Sequence, residues 1–187
     1  MPGVDPWPEE RDARKYAGPW PVVAHPPCER WGRYWSGGPS AKVRRIKGDD
    51  GGCFAAALAS VQEWGGVIEH PEASHAWSHF GIPKPPKRGG WVEAGIGWTC
   101  CVEQGHYGHP ARKATWLYVV GRYGELPELI WGPSLGRRRL DHGYHSAEER
   151  RAAEGVPRIK RLTKSECVNT PPAFRDLLLE IARGCKA

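Results

Sequence analysis

Apolar residues recur at helical spacing in two places along the chain and in short unbroken runs elsewhere. Phe54, Leu58 and Val61 make one stripe over Gly52 to Trp64, a helix that Asp49 or Asp50 can cap and Gly65-Gly66 stop. Phe174, Leu177, Leu178 and Ile181 make the other, on a helix that Thr170 caps, Pro171 opens and Gly184 ends. Pro21 to His25 reads as a short buried strand cut off by Pro26-Pro27, and Val67-Ile68 begins a second. Two more strands are predicted between Thr99 and Gly121. Ala114 to Val120, rich in β-branched and aromatic side chains, is the strongest strand signal. Ser146 and Glu149 form a capping box for a short exposed helix that ends at Gly155. Strand, helix, strand, strand, helix predicts an α/β layer fold, with a mostly parallel sheet and helices on its faces.

At 187 residues the chain fits a single domain, with residues 1–20 as an irregular arm and 122–168 as a basic, polar insert. Ten Trp exclude a disordered chain despite 24 Gly and 18 Pro, because large rings need something to pack on. No apolar run approaches the ~18 residues of a membrane helix, so no membrane partner is expected. Residues 1–16 carry Pro and acidic side chains where a secretory signal carries an apolar core. Six Cys fall below the density of a disulfide scaffold, so free thiols and a cytoplasmic location are expected. A net charge of +6 favours a polyanionic partner.

In α/β sheets, function collects at the carboxyl ends of strands. Cys28 directly follows the first strand, Glu69 directly follows Val67-Ile68, and Arg112-Lys113 precede the strongest strand. A thiol, a carboxyl and a basic pair on converging loops suit attack on an electron-poor ring. The thiolate attacks, the acid supplies a proton and the cations hold negative charge. The plainer readings are a buried thiol at a strand end, a carboxylate capping the next turn and a solvated cationic pair. Arg30, Trp31, Arg33 and Trp35 form an aromatic and basic loop suited either to stacking on an unpaired base or to packing beneath the Gly-rich loop. Arg137, Arg138 and Arg139 suit phosphate contacts. Histidines and cysteines are numerous, but no CxxC pair or HExxH is present and no metal site is assigned.

These motifs together resemble the DNA cytosine-5 methyltransferases. Pro27-Cys28 looks like their Pro-Cys nucleophile motif, and Glu69-His70-Pro71 looks like their Glu-Asn-Val motif. Tyr107-Gly108-His109-Pro110-Ala111-Arg112-Lys113 resembles their Tyr-Gly-x-Pro-Gln-Arg-Arg segment, and Asn169-Thr170-Pro171-Pro172 their Asn-x-x-Pro-Pro turn. The four occur in the family's order. The chain also resembles small phage and prophage proteins sharing AHPPC, EHP and YGH-x-x-RK.

The resemblance implies a compact, partial Rossmann-like methyltransferase sheet and DNA as partner, in a phage or prophage setting. It implies Cys28 as nucleophile, Glu69 as the acid that protonates the ring, and Arg112 or Lys113 holding the base or its phosphate. S-adenosylmethionine is the implied methyl donor, near Asn169, Pro171 and Pro172. Residues 122–168 stand where the family has its target-recognition region. The sequence departs from the family in four ways. The 27 residues before Cys28 hold no Gly-rich donor loop, His70 replaces the motif Asn, Ala111 the Gln, and the family's two motif Arg fall on Lys113 and Thr115, so that the second is lost. Three functional readings stay open. One is a cytosine-5 methyltransferase-like enzyme, with a partner subunit completing the donor site. The others are an inactive DNA-binding relative that shields sites or counters host defence, and a pyrimidine-modifying enzyme with another donor.

Overall fold

The computed structural model describes residues 3–37, 42–87, 89–121, 126–135, 138, 140, 147–152, 154, 160 and 162–185. Strands β1 (Val22–Ala24), β2 (Gly66–Pro71), β3 (Val92–Ala94), β4 (Gly97–Glu103) and β5 (Ala114–Val120) form one sheet in the order β1-β2-β5-β4-β3. The central strand β5 is covered on both faces, which is why its sequence reads as a continuous apolar run. Trp116, Tyr118 and Val120 meet Phe54, Leu58 and Val61 of helix α1 (Cys53–Trp64) and Trp77 of the short helix α2 (His75–His79). Leu117 and Val119 face the other way, onto Phe174, Leu178 and Ile181 of helix α5 (Pro172–Gly184) and onto Leu129.

Asp50 starts α1. Its carboxylate accepts from the backbone N–H of Phe54 at 2.8 Å and of Gly52 at 3.0 Å, supplying acceptors that the first helical turn lacks. At the far end Gly65 stops the helix and Gly66 opens β2. Gly66 has φ +127°, and a Cβ there would run into the Val22 backbone of the neighbouring parallel strand. Residues 3–20 contain two short 3₁₀ turns, and Arg14 ties this arm to the start of α1 by donating to the Gly51 carbonyl at 2.9 Å.

The mixed α/β class is as expected, but the mostly parallel, Rossmann-like sheet is not. Only β1–β2 is parallel; β2–β5, β5–β4 and β4–β3 are antiparallel. The connections explain this. β3 and β4 are joined by the two-residue turn Gly95-Ile96, with Gly95 at φ +66°, a hairpin geometry. Residues 104–113 between β4 and β5 are too few for a covering crossover helix and instead reverse the chain. The expected cap of α5 also shifts. The helix begins at Pro172 with Pro171 in the cap position, so its start relies on proline's fixed φ rather than on the Thr170 hydroxyl.

Of the basic insert, residues 126–135 lie against the α5 side, followed by α3 (Ala147–Ala152) and α4 (Lys164–Val168). Ser146, the expected cap of α3, lies outside the described residues. Thr163 and Glu166 form a reciprocal capping box on α4. Among the described residues no helix is long and apolar enough to cross a membrane.

Candidate functional site at one end of the sheet

Strand directions gather the reactive side chains. β1 and β2 run parallel, so both carboxyl ends lie at the same end of the sheet. β5 runs against β2 and therefore begins there; β4 runs against β5 and therefore ends there. The register places Pro71 opposite Thr115 and Glu103 opposite Ala114. His25 and Cys28, Glu69, Glu103 and Gln104, and Lys113 and Thr115 thus come from four strands to one place.

Glu69 is the hub. The residue is 8 % exposed, and both carboxylate oxygens are engaged. Oε2 lies 2.8 Å from His25 Nδ1, and Oε1 accepts from Gln104 Nε2 at 3.0 Å. The Gln104 amide also donates to Thr115 Oγ1 at 3.0 Å, which in turn donates to the Lys113 carbonyl at 3.2 Å. Burial alone pushes the Glu69 carboxyl up. The His25 hydrogen bond, helped by the electrostatic influence of His25, Lys113 and His70, outweighs burial and holds it below the usual carboxylate range. Glu69 does not cap the following helix; the Ser74 hydroxyl does, accepting from the Ala76 N–H at 3.1 Å.

Cys28 opens a tight turn, its carbonyl accepting from the N–H groups of Trp31 at 3.1 Å and Gly32 at 2.7 Å. Burial raises the thiol, and the negative charge of Glu69 raises it further, while Lys113 opposes both. In the resting site the proton therefore sits on sulfur and Glu69 is ionised. Lys113 donates from Nζ to the Asn169 carbonyl at 3.3 Å, which brings the turn before α5 to the same place. Burial lowers the Lys113 ammonium below the usual lysine range, against the pull of Glu69, Cys28 and Cys167.

Arg112 is directed elsewhere. Its Nε donates to the Ser134 carbonyl at 3.0 Å, while the buried Glu103 carboxylate accepts from the Ser134 N–H, the Ser134 hydroxyl and the Lys113 N–H. This clip pins residues 126–135 beside the site and leaves Lys113 as the inward member of the expected pair. Arg138 pairs with Glu166 at 2.6 Å, so its charge is already matched. Arg137 and Arg139 lie outside the described residues.

The aromatic loop is not a uniform platform. Trp31 is 2 % exposed; its indole N–H donates to Asp50 at 2.8 Å and its ring packs on Phe54, His79 and Phe80. It belongs to the core, because Asp50 satisfies its one polar atom. Arg30 is half-buried, and Trp35 lies with the Lys47 ammonium 5.9 Å from its ring centroid. Arg33 is exposed and, with Ser74, His75, Ser78, Lys84 and Trp116, lines a cavity of about 260 Å³ just past the end of β2.

The residues assigned to a methyl donor do not fit one. Pro171 is buried, the Asn169 carbonyl is taken by Lys113, and the first amides of α1 are occupied by Asp50 rather than open to an anionic or nucleoside ligand. β1 leads into residues 25–52 before α1, not into a short Gly-rich turn. Among the described residues no group of three or more His, Cys, Asp or Glu side chains is placed to hold a metal.

The residues that motif reading missed are His25, Gln104 and Thr115. His25 carried a signal, standing three residues before Cys28. Gln104 carried none, since its role depends on β4 ending beside β2. His70, in the position of the motif Asn, is fully buried against Phe54 and Trp77. Burial pushes its pKa down to about 4, although Glu69, the Pro27 carbonyl and Asp50 oppose this. That carbonyl biases the ring without meeting hydrogen-bond geometry, for among the described residues neither ring nitrogen has a partner. Comparison of the chain with family models, curated proteins and solved structures finds no match.

Proposed function

We propose that this protein attacks a cytosine base in DNA through Cys28, in the manner of the DNA cytosine-5 methyltransferases that its motifs resemble. The observation that carries the reading is the meeting of Cys28, Glu69, Lys113 and the Asn169 turn at one end of the sheet, from four segments far apart in sequence. A net charge of +6 and the cations Arg33 and Lys84, which line the cavity past the end of β2, suit a nucleic-acid backbone.

The resting protons have a direct bearing on the chemistry. Thiol and carboxylate hold one proton between them, and it rests on sulfur. Addition needs sulfur to lose its proton and the base to gain one. Sulfur bonds to carbon 6, the ring electrons shift towards N3, and N3 takes a proton from Glu69, which must first have gained one. Lys113 offsets the negative charge that the thiolate and carboxylate share while this happens. Carbon 5 is then nucleophilic. It takes up a hydrogen from solvent or an electrophilic carbon, loses its original hydrogen, and expels the thiolate.

S-adenosylmethionine is the donor that the resemblance implies. Because the residues at hand do not fit it, we assign this chain the base-attacking part of the reaction and leave donor binding to a partner subunit. The test therefore needs no donor. Random-sequence duplex DNA is incubated in heavy water and digested to nucleosides, and deuterium at carbon 5 of cytosine is read by mass spectrometry. Exchange by the native protein and none by Cys28→Ala is the expected result. Salt-dependent DNA binding with no exchange by either would instead establish the inactive, site-shielding reading, which the unfavourable resting charges of Cys28 and Glu69 favour.

A further inference from the structure

We infer that His25 is a proton-relay residue, carrying protons between solvent and the buried Glu69 carboxylate; this rests on the reading of Glu69 as the group that protonates the base. The observation is a contrast across one short hydrogen bond. Glu69 is 9 % exposed at its side chain and His25, 2.8 Å away through Nδ1, is 41 % exposed. A carboxylate with Gln104 on one oxygen and His25 on the other has little direct access to water.

The hydrogen of the His25–Glu69 bond sits on Nδ1, since an ionised carboxylate only accepts. Nδ1 faces the buried carboxylate, so Nε2 is the nitrogen left to meet solvent in the relay. One transfer then balances in full. Nε2 takes a proton from solvent, Nδ1 gives its own to Glu69 Oε2, and the ring ends as the other neutral tautomer, accepting from the new carboxylic acid. The Cys28 thiol releases its proton to solvent as sulfur attacks, so solvent gains one proton for the one it gave. After Glu69 passes that proton to N3 of the base, the reverse shift restores the starting state when the base departs. Imidazole is the side chain suited to such traffic near neutral pH, because it both takes and gives a proton with little cost. His25 acts through Glu69 and does not itself touch the base.

The titratable groups around this pair are Cys28 from the segment after β1, His70 from β2 and Lys113 from the start of β5. His70 is buried and neutral, held near a pKa of about 4. Lys113 is paired to the Asn169 carbonyl, and the Cys28 proton stays on sulfur until attack. None of the three offers Glu69 a path to solvent comparable to His25.

The experiment is carbon-5 exchange in heavy water on the same duplex pool, measured across pH for the native protein, His25→Asn and His25→Ala. Asn keeps an N–H where Nδ1 donates but cannot relay, so a merely structural His25 predicts little loss. The relay predicts that His25→Asn falls about a hundredfold and loses its pH dependence near neutrality. It also predicts that added imidazole restores His25→Ala, whereas chloride of equal ionic strength does not. Thermal melts of both variants check that each is folded, and the imidazole arm decides the matter if the Asn variant is not. Native-like exchange by His25→Asn overturns the relay alone and leaves Cys28 and Glu69 in place. An absence of exchange in the native protein overturns both, because there is then no proton traffic at Glu69 to serve.

Discussion

Arg112 and Lys113 are consecutive, yet Lys113 Nζ reaches the Asn169 carbonyl at 3.3 Å beside Glu69 and Cys28, while Arg112 Nε reaches the Ser134 carbonyl at 3.0 Å. One cation serves the reacting end of the sheet and the other fastens a loop next to it. The two substitutions therefore separate. Lys113→Gln removes the charge that opposes the rise of the Cys28 thiol, so the thiol should titrate higher still and alkylate more slowly at a given pH. Carbon-5 exchange should fall at least tenfold, or about 1.4 kcal/mol of barrier. Arg112→Ala should leave exchange within a factor of two or so and cost about 1 kcal/mol in urea unfolding. Equal effects on exchange would mean that both cations act on the base.

That separation also shows what was legible in the sequence. Phe54, Leu58 and Val61, and Phe174, Leu178 and Ile181, announce their helices because a buried face must repeat with the helical period. Ala114–Val120 announces a strand because both its faces are covered. Strand direction was not legible, since a doubly buried antiparallel strand and a parallel one carry the same apolar run. Cys28 and Lys113 were visible as reactive residues near strand ends, whereas Glu69, expected just after a strand, lies within β2. Gln104 was not, because an amide after a strand has no signature until β4 and β5 pair antiparallel and bring it to Glu69. Trp31 was visible only as a ring; that it is core depends on Asp50, nineteen residues on.

Asp50 links these pieces, and its removal should be felt in two places. It accepts from the Phe54 and Gly52 amides at the start of α1 and from the Trp31 indole. A lost helix cap costs about 1 kcal/mol, and leaving a buried indole N–H unsatisfied adds about 1–3 kcal/mol. Asp50→Ala should therefore destabilise the fold by about 2–4 kcal/mol in denaturant titration and change the near-ultraviolet dichroism of the Trp31 cluster. Asp50→Asn, which keeps one acceptor, should lose less. Equal losses would mean that the carboxylate charge, not its acceptor geometry, supports the helix.

His70 gives the fold a defined acid sensitivity. Its pKa is about 4 in the folded chain against an ordinary imidazole value of 6.5. Between those values the unfolded chain binds the proton and the folded chain does not, so stability falls as pH drops from about 6.5 to 4 and levels off below. The full loss is on the order of 3 kcal/mol. His70→Phe should flatten the curve in that window, leaving the acid loss from Glu69 and other carboxylates held below their usual range to appear at lower pH. Urea midpoints at pH 7, 5.5 and 4.5 check this; an unchanged slope in the Phe variant would place the sensitivity elsewhere.

Contact with DNA should depend on the cations past the end of β2 rather than on every basic residue. Lys84 lines the cavity of about 260 Å³ past the end of β2, together with Arg33 and His75. Arg138 is held against the Glu166 carboxylate at 2.6 Å in the capping box of α4. A cation that neutralises a phosphate releases about one counterion, so its loss lowers the slope of log affinity against log salt by about 1. Lys84→Gln should show that reduction, with weakening similar across DNA sequences because phosphate contacts carry no base information. Arg138→Gln should leave the slope unchanged, since Glu166 already occupies its charge, and should instead loosen α4. Fluorescence anisotropy of labelled duplex DNA at several salt concentrations separates the two variants. A slope lowered by Arg138→Gln and untouched by Lys84→Gln would move the DNA path from the β2 end of the sheet to the α4 side.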